Sequence, residues 1–76
     1  MKREDRTLIR FGERIRSLRE QAGLSQETLA AKAGIHRTYL GGVERGERNI
    51  SLRNIVRLAA ALGVQAGDLF AESEEQ

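Results

Sequence analysis

The chain is predicted to fold as an all-α, compact five-helix bundle, one domain spanning residues 1–76. Three observations carry that prediction. Apolar residues recur three and four apart along successive segments, no stretch alternates as a strand would, and glycines stand just past each periodic stretch, at positions 23, 34, 46 and 63. With 76 residues, no cysteine and no proline, the domain is held by helix packing alone, and disulfide frameworks and thiolate metal sites are excluded.

A first helix is expected from Thr7 to Ala22, with Leu8, Phe11, Ile15, Leu18 and Ala22 on its apolar stripe and Gly23 ending it. Ser25 offers a hydroxyl to the orphan amides of a second helix over Gln26–Ala33, which Gly34 closes. Ile35 is a lone apolar residue in the turn that follows. A third helix runs from Arg37 to Arg45 with His36 near its cap, and Gly46 closes it. Ser51 caps a fourth through Leu62, its core stripe expected at Leu52, Ile55, Ala59 and Leu62. A short last helix over Ala66–Ala71 brings Leu69 and Phe70 onto the bundle, and residues 1–6 and 72–76 are expected to fray.

The segment from Ser25 to Gly46, SQETLAAKAGIHRTYLGGVERG, has the pattern of two short helices joined by a tight turn, with the helix-turn-helix proper at 26–45. That unit places a helix in the major groove of DNA. Ala30 lets the second helix cross closely, Gly34 makes the turn, and Leu40 and Val43 form the inward stripe of the third helix. His36, Arg37, Thr38, Tyr39, Gly42 and Arg45 are left for its outer face, side chains suited to phosphates and base edges.

Charge agrees with a nucleic-acid partner. All 13 Lys and Arg lie within residues 1–57 against seven acids, a local net of +6, while the remainder holds four acids and no base. Eleven of the bases are arginine, whose planar fork suits phosphate and guanine. A solvated charged surface explains a basic excess equally well in isolation, so charge counts only beside the motif.

These residues resemble the helix-turn-helix of Cro/cI/XRE-type repressors, which have the lambda-repressor-like fold. Within that family, HRTYLGGVERGERNISLRNIVRLAAALG is most similar to the controller proteins of bacterial restriction–modification systems. The resemblance covers about residues 10 to 71. It implies a structural ion pair between Arg19 and Glu44, a DNA-backbone contact by Gln26, and a clamp on the backbone by Arg45, Arg48 and Asn49. It also implies a regulator that binds its own promoter region, activates endonuclease expression and represses at higher occupancy, with RNA polymerase as a further partner. Gly41 and Gly42 depart from the pattern, since such repressors often carry larger side chains there.

Arg37, at the exposed start of the third helix, is the first candidate for base readout, a bidentate arginine–guanine contact being worth about 1–3 kcal/mol of discrimination. A phosphate contact or a merely solvated arginine is the competing reading. Thr38 is placed near a base edge or thymine methyl, Ser25 and His36 near the backbone, and Tyr39 either on a phosphate or packed across the second helix. Gly41 and Gly42 each cost about 1 kcal/mol relative to alanine within a helix. They indicate either a close approach of this helix to the second helix or to the sugar–phosphate chain, or drift under weak constraint, and they confine side-chain readout to the first turn.

A recognition helix this short reads about four base pairs, so a homodimer on an inverted repeat in double-stranded DNA is expected. Ile50, Asn54, Val56, Leu58, Leu69 and Phe70 are the candidates for its interface. A phage-type repressor or an antitoxin is the alternative within the class, and a protein-interaction module of the same fold the alternative outside it. No nucleophile–base constellation or metal cluster is present, so neither an enzyme nor a cofactor is expected. With no apolar run near the roughly 20 residues of a membrane span and no signal-like segment, a cytoplasmic, nucleoid-associated protein is expected.

Overall fold

Asp5 begins the fold: its carboxylate accepts from the Leu8 amide at 3.2 Å and caps helix α1, Arg6–Gln21, in a computed structural model that describes residues 5–71. Of the residues expected to fray, Asp5 is the N-cap and Arg6 the first residue of α1, while 1–4 and 72–76 lie outside the described residues. Phe11 and Ile15 are the buried side chains of α1, with Leu18 packed against the core. Gly12 is also buried, where α1 crosses the end of the third helix. A Cβ at Gly12 would collide with the carbonyl oxygen of Val43 and lie 2.6 Å from that of Glu44, so only a bare Cα permits this crossing.

Helix α2, Gln26–Ala33, starts as the sequence indicates, the Thr28 amide donating to Ser25 Oγ at 3.0 Å. Gly34 closes it at φ 74°, the left-handed conformation that costs glycine no Cβ clash, and the chain turns into α3, Arg37–Glu44. His36 is the N-cap of α3 without a side-chain bond to it, and Arg45 is its C-cap. Ser51 caps α4, Leu52–Leu62, by accepting from the Asn54 amide at 3.1 Å.

The fifth expected helix is a 3₁₀ helix, Ala66–Phe70, so the described residues form four α-helices and one 3₁₀ turn. Five residues with Gly67 among them give little scope for an α-helical ladder, and the segment is instead fixed at its start by the Gln65 amide donating to Asp68 Oδ2 at 2.9 Å. Arg14 ties it to α1, its Nε donating to the Asp68 carbonyl at 2.9 Å.

The core is built from Ile15, Leu29, Leu40, Val43, Leu58 and Leu69, all fully buried, with Phe11, Ala30, Ala33, Ile55 and Ala59 around them. Each large side chain contributes roughly 1.5–3 kcal/mol relative to exposure. Two expectations are corrected here. Leu52 is 75% exposed, so the inward stripe of α4 is Ile55, Leu58 and Ala59, with Leu62 at its edge. Leu58 and Leu69, expected at a dimer face, are fully buried core residues.

Candidate nucleic-acid interface

Helix α3 divides cleanly between packing and presentation. Leu40 and Val43 are buried, while His36, Arg37 and Thr38 at its start are exposed. Arg37 and Thr38 are thus neighbouring exposed residues of the first turn of α3.

The second turn is different. Gly41 and Gly42 are both buried, which removes Gly42 from the outer face predicted for it. Two arginine side chains lie across them: a Cβ at Gly41 would be 3.2 Å from Arg45 Nη1, and one at Gly42 would be 2.9 Å from Arg48 Cγ. The atoms nearest the glycine pair therefore belong to the chain's own cationic side chains, with the Gln26 side chain of α2 next, 3.7 Å from a Cβ at Gly41.

Arg48 continues over Tyr39, its guanidinium carbon 5.9 Å from the ring centroid. Tyr39 is half-buried and packs against the core cluster, so its ring supports the Arg48 guanidinium from below. Arg45 is exposed and paired with Glu47 at 3.2 Å. Asn49 is exposed on the loop that follows. Thus Arg37, Thr38, Arg45, Arg48 and Asn49 all belong to α3 and its C-terminal loop, and all are open to solvent.

Arg19 and Glu44 meet as the resemblance implies. Arg19 Nε donates to Glu44 Oε2 at 2.7 Å and Nη2 to Oε1 at 3.1 Å, with side chains only 12% and 3% exposed. Arg19 Nη1 also donates to the Leu24 carbonyl at 2.8 Å, tying α1, the loop before α2 and the end of α3 together. The hydrogen bond from Arg19 to Glu44 holds the guanidinium pKa above its ordinary value.

Gln26 is not simply free for DNA: its Nε2 donates to Glu44 Oε1 at 2.9 Å. Sequence reasoning missed this contact and the Arg48–Tyr39 stack, because neither leaves a periodic signal. Of the residues expected at a dimer face, Val56 and Phe70 are exposed and Ile50 and Asn54 half-buried; Leu52 is exposed as well. Phe70 also meets Phe11, the rings tilted at 45° with centroids 5.3 Å apart. Among the described residues, no group of three or more His, Cys, Asp or Glu side chains is placed to hold a metal, and no helix is long and apolar enough to cross a membrane.

A tight turn between α2 and α3, a buried inward stripe and an arginine-bearing outer face match one known class. The chain belongs to the helix-turn-helix family of DNA-binding regulators, whose pattern matches residues 15–69. Within it, the chain is 42% identical over 69 residues to the control protein C.MunI of a Mycoplasma species, covering 90% of this chain and 93% of that one. The crystal structure of the restriction–modification controller protein C.AhdI from Aeromonas hydrophila is similar in fold, with a TM-score of 0.86 and 55% identity over 87% of this chain and all of that one. The biofilm regulator SinR, solved in complex with DNA, superposes with a TM-score of 0.76 and 34% identity over 80% of this chain and 98% of that one.

Proposed function

We propose that the chain is a sequence-specific transcriptional regulator of the restriction–modification controller type, acting as a homodimer on inverted-repeat DNA in its own promoter region. The observation that carries this reading is the outer face of α3. Arg37 and Thr38 stand exposed at its first turn, and Arg45, Arg48 and Asn49 follow in its loop, while Leu40 and Val43 anchor the same helix in the core. Arg37 and Thr38 read base edges in the major groove; Ser25, Gln26, His36, Arg45, Arg48 and Asn49 hold the backbone, and Tyr39 supports Arg48.

The dimer face comprises Leu52, Val56 and Phe70, bordered by Ile50 and Asn54. Three large apolar side chains exposed on one small domain are well accounted for by a self-complementary contact. Activation through contact with RNA polymerase, followed by repression at higher occupancy, fits the similarity to controller proteins, and such a protein works in the cytoplasm at the nucleoid.

Selection of binding sites from a random DNA pool, with sedimentation of the free protein, tests the reading. The expected outcome is a palindrome with half-sites about one helical turn apart and a dimer in solution. With three or four phosphates neutralised per subunit, affinity falls with salt on a log–log slope of roughly −5 to −7. No enriched sequence and a slope near zero would overturn it.

A further inference from the structure

Glu44 has more partners than an ion pair requires. Its Oε1 accepts from Gln26 Nε2 at 2.9 Å as well as from Arg19 Nη2 at 3.1 Å, within a side chain only 3% exposed. Gln26 is the first residue of α2, half-buried beside the exposed Ser25 cap.

We propose that Glu44 is a positioning residue for DNA binding, holding the Gln26 amide so that its second N–H is presented to a backbone phosphate. This rests on the reading of Gln26 as a backbone contact. Two features of the site support it. A carboxylate accepts but cannot donate, so Glu44 takes only the nitrogen end of the amide and prevents a flip that would turn the carbonyl oxygen toward an anion. The two N–H bonds of Nε2 diverge by about 120° in the planar amide, so fixing one inward directs the other away from Glu44.

Electrostatics also require the third member. An unpaired carboxylate at this place would repel the phosphate that Gln26 is to bind. The two hydrogen bonds from Arg19 cancel that charge, and the unit offers DNA a neutral, oriented donor. Arg19 thereby serves the contact from a distance without touching DNA.

The test is a double-mutant comparison on a duplex selected from random DNA. Gln26→Ala is measured in the unsubstituted protein and in an Arg19→Met/Glu44→Met background, where apolar replacements remove the acceptor while leaving no buried charge. Gln26→Ala is expected to weaken binding about five-fold in the first and less than about two-fold in the second. An equal five-fold loss in both overturns the positioning role and leaves Gln26 as a contact. No loss in the unsubstituted protein overturns the contact itself. Should the double-methionine protein fail to fold, NMR of the unsubstituted protein decides. In the free protein one Gln26 Nε2 proton, the one donated to Glu44, is expected to exchange with solvent much more slowly than its partner, and the partner alone is expected to move when the duplex is added. Equally fast exchange of both protons in the free protein overturns the proposal.

Discussion

Arg19 and Glu44, 25 residues apart in sequence, form a two-pronged ion pair with Nε–Oε2 at 2.7 Å and Nη2–Oε1 at 3.1 Å, nearly closed to solvent. Pairs of this kind are costly to break from one side, because the remaining charge is stranded.

Arg19→Ala is expected to destabilise the domain by about 3 kcal/mol. For a chain of this size that is a fall in Tm of roughly 15–20 °C by calorimetry or circular dichroism. Arg19→Met/Glu44→Met together should lose far less. Unchanged stability of Arg19→Ala would show the pair to be incidental.

Gly12→Ala places a methyl against the Val43 and Glu44 carbonyl oxygens, both backbone atoms that cannot swing aside. The crossing of α1 and α3 has to open, at a cost of about 2–3 kcal/mol despite the better helix propensity of alanine. Urea unfolding measures it, and a gain in stability would contradict the tight crossing.

Gly41→Ala and Gly42→Ala meet flexible side chains instead, Arg45 at 3.2 Å and Arg48 at 2.9 Å. Both variants should keep or gain stability, by up to about 1 kcal/mol. DNA binding should weaken as the arginines are displaced, so stability and affinity move in opposite directions. Affinity that rises with stability would argue against a role for the arginine seats.

Leu52 and Leu58 share a helix and differ wholly in burial, 75% exposed against fully buried. Leu58→Ala is expected to cost the monomer about 2–5 kcal/mol by cavity formation. Leu52→Ala and Val56→Ser should leave monomer stability within about 0.5 kcal/mol. Their effect should fall on the dimerisation constant in sedimentation. Persistence of the dimer at unchanged affinity would move the interface elsewhere.

Arg37→Ala should flatten the sequence preference recovered by binding-site selection, with a loss of roughly 1–3 kcal/mol against the best site. Uniform weakening across all sites, with a salt slope smaller by about one, would instead assign Arg37 to a phosphate.

The sequence made some parts of this structure legible and hid others for identifiable reasons. Ser25, Gly34, Ser51 and Gly63 mark helix ends through local hydrogen bonding and a left-handed turn, so neighbouring residues suffice to locate them. Asp5 went unnoticed as a cap because the charged residues around it show no apolar period. The phase of α4 was misplaced since Leu52, Ile55, Val56, Leu58, Ala59 and Leu62 put apolar groups on more than one side of the helix. Only packing against α2 and the 3₁₀ turn selects among them. The Gln26–Glu44 bond and the stack of Arg48 on Tyr39 depend on tertiary placement of side chains that look independently available for DNA.

Helix α1 touches both ends of the proposed machinery. Gly12 seats it on the recognition helix, while Arg14 and Phe11 fasten it to the segment bearing Phe70. In a dimer joined through Phe70, this makes α1 a strut of fixed length between the symmetry axis and the groove-reading surface. The protein then behaves as a ruler: one base pair inserted between half-sites rotates the second by about 34–36°, and a strut without a hinge has no means of following it.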